Sequence, residues 1–445
     1  MSRFARYLLC TAVAVSACAG TAGAQLLGAV VLPPIGLPGA ARGLPVAGPA
    51  LQNILGSPQL QQQVLAPTLD SVAGLPEDVA QSGASTLADL RKMRLERLIR
   101  DNRAVLEGDE HGAPVRRGIL IAADPDPMSL QMAQRAGFMV IGADVESSLG
   151  LRLVKLGTPR GMSARQAMKR LRKAAPNLQV DYDHVFEPAG GSLMPLAGAL
   201  ATTAGGANGR VIGMIDGGVA SHPSLASSPI EQNGFAGAPK PTGHGTAVAS
   251  LLVGGQGPFR GAANGARLYV ADVYGGSSAA GSASAIVQAL GWLASRGPQV
   301  INISLVGPPN AVVARAISAV QRRGIRVVAA VGNDGPAAPP QYPASYPGVL
   351  AVTAVDARGR ALPEAGRATH LDFAAPGADM AAALPGQGYA RVRGTSFASP
   401  LAAARLALDG SPERLAAEAR PGSGRVGRGI VCFQCRVDPK LVGAK

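Results

Sequence analysis

Aromatic residues are scarce in this chain, at 4% of 445 positions with a single tryptophan, and charged residues make up only 16%. The scarcity of aromatics removes the stacking groups that nucleic-acid binders interleave with Lys and Arg. The formal net charge is +14, and most of the excess lies after residue 200. It therefore reads as a solvated basic surface, and no nucleic-acid partner is expected. No run of about 18 apolar residues follows the first 24 positions, so no membrane span is expected either. Ligand-spaced runs of Asp, Asn and Glu are missing, which leaves no calcium loop to read and no metal site to name. Cysteine is nearly absent. Cys10 and Cys18 sit in the amino-terminal stretch, which leaves Cys432 and Cys435 as Cys-Phe-Gln-Cys near the end. Two sulfurs without clustered histidines fall short of the four ligands of a structural zinc site. The surroundings are not thioredoxin-like, so a local disulfide is the expectation.

What is present is small and apolar. Hydrophobic residues reach 47%, with 58 Gly and 35 Pro, a composition suited to tight turns and close helix–sheet packing. The length suits two or three domains on a prior of about 150 residues each. Residues 1–24 read as an export signal: Arg3 and Arg6, an apolar stretch from Tyr7 to Ala17, then the small-residue site Ala22-Gly23-Ala24. The competing reading takes Val15-Ser16-Ala17-Cys18 as a bacterial lipobox with a lipid anchor at Cys18. The expected location is therefore secreted or periplasmic, with an outer-membrane lipoprotein as the alternative.

Residues 25–84 form a Pro-, Gly- and Ala-rich leader with neither helical nor strand periodicity. Residues 85–112 hold a charged helix whose leucine stripe includes Leu87, Leu90, Leu95 and Leu98, with arginines on a solvated face; a membrane-surface helix is the alternative. Residues 113–190 alternate strand, helix, strand, strand, helix, strand, the order of a ferredoxin-like α+β unit. A linker spans residues 191–209. From 210 to 430, apolar strands such as Val211–Ile215, Leu268–Val273, Val300–Ser304, Arg326–Ala330 and Val349–Val355 alternate with helices. That pattern predicts a doubly wound, mostly parallel α/β sheet with its site beyond the strand carboxyl ends. Residues 431–445 are a tail carrying the two cysteines.

Four polar residues fall at such ends. Asp216 follows Val211–Ile215, and Asn333 follows a strand in Val331-Gly332-Asn333-Asp334-Gly335. His244 opens one helix, and Ser396 opens another in Gly394-Thr395-Ser396-Phe397-Ala398-Ser399-Pro400. Each alone reads as a turn former or a cap. Together the serine, histidine and aspartate supply a nucleophile, a base near neutral pH and a carboxylate to orient it, and four such residues at compatible termini are more than chance turns.

The stretches Val211–Val219, Gly243–Ser250 and Gly394–Pro400 resemble the three signature motifs of the subtilisin-like serine proteases (subtilases), and the resemblance covers about residues 205–410. It implies Asp216, His244 and Ser396 as a catalytic triad, with Asn333 and the Ser396 N–H as the oxyanion hole. It implies a substrate-binding edge at Ser304, Leu305 and Val306, with Ala330, Val331 and Gly332 opposite. Protein or peptide substrates follow, with no required cofactor and calcium only by family analogy. The ferredoxin-like unit then becomes a propeptide that inhibits the site from within the same chain; an unrelated substrate-binding domain is the alternative. A single cleavage is expected between about Pro188 and Gly209. Gly217 departs from the usual Ser or Thr, and Val306 from the usual glycine. The expected protein is an exported serine endopeptidase made as an inhibited precursor. The rivals are an inactive binding protein on the same fold, and an esterase or peptide ligase using the same triad.

Overall fold

The structure is a computed structural model that describes residues 77–196, 206–207, 209–386 and 388–443. The stretches read as an export signal, as a lipid anchor at Cys18 and as a leader up to residue 76, with linker positions 197–205 and 208, lie outside the described residues.

A long helix, α1 (Glu77–Asp101), begins earlier than residue 85. The ferredoxin-like unit follows. Its strands are β1 (Leu106–Gly108), β2 (Pro114–Ala123), β3 (Met139–Glu146), β4 (Leu151–Gly157) and β5 (Val180–His184). Its helices are α2 (Pro127–Arg135), capped by Asp126, and α3 (Ala164–Ala174), opened by a capping box between Ser163 and Gln166. The strands are antiparallel in the order β5–β2–β4–β3, with β1 paired to the start of β2. Alternation along the strands gives the sheet two apolar faces. Leu120, Ala122, Val154 and Leu156 pack with residues of the unit's own helices. Ile121, Ala123, Leu151 and Leu153 join the core of the second unit.

That second unit contains β6 (Glu187–Pro188), β7 (Ser192–Leu196), β8 (Val211–Asp216), β9 (Ile230–Gly234), β10 (Gly255–Gln256), β11 (Phe259–Arg260) and β12 (Arg267–Asp272). It continues with β13 (Val300–Ile303), β14 (Leu305–Val306), β15 (Arg326–Ala330), β16 (Leu350–Val355), β17 (Phe373–Pro376), β18 (Met380–Ala383) and β19 (Tyr389–Arg393). Seven strands form one parallel sheet in the order β17–β16–β15–β13–β8–β12–β9. The helices are α4 (Gly243–Val253), α5 (Ala283–Arg296), α6 (Ala311–Arg322), α7 (Thr395–Asp409) and α8 (Pro412–Glu418). Helices α4 and α7 cover one sheet face, and α5 and α6 cover the other. The alanines of α7 are fully buried, and their small size lets this helix lie close across β13, β15, β16 and β17.

Carboxylates of the ferredoxin-like unit tie it to the helix starts of the second. Asp183 accepts from the Ser284 N–H (2.8 Å) and its hydroxyl (3.0 Å), and Asp181 accepts from the Ala311 N–H (2.7 Å). Those groups are the unpaired donors that open α5 and α6. The short strand β6 precedes the stretch read as a linker, and β7 lies inside it, so residues 192–196 of that stretch are strand paired to β19. The tail also packs onto the body: Val431 and Cys432 join the main core, and the Val437 carbonyl accepts from Ala381 N–H (2.9 Å).

Candidate active site

Strand β8 sits near the middle of the parallel sheet and ends at Asp216, which is 1% exposed. Its Oδ1 lies 2.9 Å from Nδ1 of His244 and also accepts from the Gly217 N–H (2.7 Å). His244 occupies the first turn of α4, where the Thr242 side chain caps the Gly245 N–H. A Cβ on Gly217 would lie 2.5 Å from the Thr242 hydroxyl oxygen. Glycine at 217 therefore accommodates the capping threonine, which accounts for the departure seen in the sequence. His244 Nε2 is buried and has no hydrogen-bond partner.

Ser396 lies in the first turn of α7 and is fully buried. Pro400, four residues on, has no N–H to give, so the Ser396 carbonyl has no helical partner. It accepts instead from the Ser304 hydroxyl (3.0 Å), which ties the start of α7 to the end of β13. The Asn333 side chain bridges two elements. Its Oδ1 accepts from the Thr395 N–H (2.9 Å), and its Nδ2 donates to the Ala189 carbonyl (2.5 Å).

That last contact brings the chain's own residues into the site. Strand β6 pairs antiparallel with β14, opposing Pro188 to Leu305 and Glu187 to Val306. The Ala189 N–H continues the ladder to the Ser304 carbonyl (2.9 Å). The Ser396 hydroxyl donates to the Gly190 carbonyl (2.6 Å). Strand β7 then pairs with β19, from Ser192 opposite Arg393 to Leu196 opposite Tyr389. Residues 187–196 thus cross the site as an extended peptide, with Ala189 and Gly190 between Asn333 and Ser396.

Of the residues expected along the substrate edge, Ser304, Leu305 and Val306 line this peptide. Ala330 packs with Ala189 and Val306 in one small apolar cluster. Gly332 donates its N–H to the Thr395 hydroxyl (3.1 Å). Val331 belongs to the core on the α5–α6 side of the sheet. Cys432 and Cys435 lie at disulfide distance, with Cα atoms 5.2 Å apart. Among the described residues no three His, Cys, Asp or Glu side chains gather as a metal cluster.

An ionic knot stands beside the cleft, and sequence reasoning missed it. Asp334 receives Arg91 (3.1 Å) and Arg94 (3.0 Å) from α1, and Arg94 also reaches Glu187 (3.4 Å). Burial works to lower the Arg94 pKa, but Glu187 and Asp334 outweigh it and raise it above its ordinary value. On the far side Arg393 forms a two-bonded pair with the buried Glu364 (2.7 and 3.0 Å). Arg91 and Arg94 looked like part of a solvated face because their partners lie far away in sequence, whereas Arg97 pairs locally with Asp101 (3.2 Å). Asp109 is also buried, and burial alone would raise its pKa. Bonds from the His184 ring (3.2 Å) and the Ala113 N–H (2.7 Å) hold it below the usual carboxylate value.

A profile of the subtilase family matches residues 207–413. The chain is 35% identical over 213 residues to Subtilisin Savinase of Lederbergia lenta, covering 45% of this chain and 76% of that protein. Its identity to the Alkaline protease of Alkalihalobacillus alcalophilus is also 35% over 213 residues, and there the chain spans about half of the relative's length (54%). Among solved structures it resembles fervidolysin from Fervidobacterium pennivorans, described as a keratinolytic enzyme related to subtilisin. That likeness has a TM-score of 0.61 at 18% identity, covers 74% of this chain and 61% of that one, and speaks for the fold.

Proposed function

The chain belongs to the subtilase family of serine endopeptidases, and on that premise we propose that it is exported as a precursor that inhibits, and then cuts, itself. In this reading Ser396 is the nucleophile and His244 the base. Asp216 fixes the imidazole through Nδ1, so that Nε2 is the nitrogen left to take the proton. The Ser396 oxygen attacks the substrate carbonyl carbon and its proton passes to Nε2. Asn333 Nδ2 and the Ser396 N–H hold the resulting oxyanion. The proton then goes to the leaving amine, and a water hydrolyses the acyl-enzyme to free Ser396.

One observation carries the proposal. The Ala189 carbonyl already accepts from Asn333 (2.5 Å) while the Ala189 N–H is paired to Ser304 (2.9 Å). An extended peptide held at both points is seated as a substrate would be, by strand addition along the edge. The bond after that carbonyl, Ala189–Gly190, is therefore the one we assign to self-cleavage, and the inhibitory segment is the chain from α1 to Ala189. Held in the same chain, that segment inhibits at a high effective concentration. The reading uses no metal, and its substrates are proteins or peptides. Reaction with a fluorophosphonate probe and hydrolysis of casein should both vanish in Ser396→Ala. Retention of either would remove Ser396 from the role of nucleophile. Intact mass of the exported protein tests the signal and Cys18 readings together.

A further inference from the structure

The self-peptide shows how much room the site gives to the side chain just before the scissile bond. Ala189 supplies the carbonyl at Asn333, so its methyl occupies that first acyl-side pocket. There it packs against Val306 and Ala330, and all three residues are buried. Two side chains close the pocket beyond it. From the Cβ position on Gly332, Val306 Cγ1 and Gln341 Cγ are each 3.3 Å away, so the valine and the glutamine meet across the glycine. Gln341 is 1% exposed and is held by the bond from its Nε2 to the Pro339 carbonyl (2.6 Å). Its Oε1 is buried with no hydrogen-bond partner. An unpaired buried oxygen of this kind is a poor neighbour for a large apolar side chain.

We infer that Val306 and Gln341 restrict the first acyl-side subsite to alanine-sized side chains, so that the substrates are polypeptides cut after a small residue. This rests on the endopeptidase reading and specifies its substrate class. A phenylalanine must bury well over a hundred Å² of ring to gain from binding, and the Val306 and Gln341 side chains crowd the space at Gly332 into which that ring would extend. Each methylene that a pocket refuses is worth about 10-fold or more in kcat/KM.

The test uses the full chain after it has processed itself, with tetrapeptide p-nitroanilides that differ only in the final residue: Gly, Ala, Leu or Phe. The wild type should favour Ala over Phe by about 30-fold or more in kcat/KM. Gln341→Gly and Val306→Gly should each raise the Phe:Ala ratio by about 10-fold or more. Gln341→Ala shortens the same side chain with less freedom added to the backbone, and it should shift the ratio in the same direction if the glycine variant fails to process. A wild type that cuts after Phe as readily as after Ala overturns the inference. Variants that process but leave the ratio where it was overturn it too. Hydrolysis of every substrate at the same rate by wild type and Ser396→Ala would instead bring down the endopeptidase reading beneath it.

Discussion

The Ser396 hydroxyl donates to the Gly190 carbonyl at 2.6 Å, while Nε2 of His244 is left without a partner. The nucleophile's proton is therefore engaged by the self-peptide and not by its base. Two glycines with positive φ, Gly190 (76°) and Gly191 (136°), give the chain the bend that puts this carbonyl over Ser396. A Cβ on Gly191 would lie 2.6 Å from the Phe397 ring and 2.7 Å from the Arg393 carbonyl.

Gly191→Ala should therefore fail to seat the segment. A non-glycine residue at such φ costs on the order of 1–3 kcal/mol before the clash is counted. The uncut precursor of this variant should react with a fluorophosphonate while the uncut wild type does not. Gel separation of labelled precursor from labelled product reads the result, and an unlabelled Gly191→Ala precursor counts against the diverted hydroxyl.

Asn333→Ala removes one of two donors to the oxyanion and also the acceptor of the Thr395 N–H. Turnover should fall about 10²–10³-fold with KM nearly unchanged, the cost of losing this kind of donor in subtilisin itself. A rise in KM with kcat intact would mean that the side chain only binds.

Asp183 tests the docking of the ferredoxin-like unit. Burial raises its pKa against the bonds from Ser284, so the site disfavours the negative charge while using the oxygens as acceptors. Asp183→Ala strands the Ser284 N–H and should cost about 1–2 kcal/mol of stability in the uncut Ser396→Ala chain. Asp183→Asn keeps an acceptor without the charge and should cost less at neutral pH. Thermal unfolding compares the two, and equal losses would show that the charge itself is needed.

Cys432 and Cys435 enclose a very short loop, for which loop entropy predicts about 2 kcal/mol, the low end for a disulfide. Thiol titration of the unfolded, unreduced protein should find no free sulfur at these positions. Two reactive thiols there would remove the disulfide.

Much of the fold was legible because buried parallel strands are continuous apolar runs, as in Val211–Ile215 and Arg326–Ala330. β9 was not, because Ile230-Glu-Gln-Asn-Gly is polar at a sheet edge, and β17 is only four residues long. The four polar residues of the site stood out because each sits where a strand ends or a helix opens. β6 and β7 left no local signal, since their partners β14 and β19 are more than a hundred residues away. Their position could be read only as a window from Pro188 to Gly209. Gln341 was overlooked for the same reason, as a lone loop glutamine becomes a pocket wall only after Gly332 and Val306 meet it.

The carboxyl terminus of the fragment released during maturation tests the central claim most directly. Mass spectrometry of that fragment should find it ending at Ala189, and no fragment should form in Ser396→Ala. A fragment ending at another residue, or the same fragment from Ser396→Ala, would contradict the account.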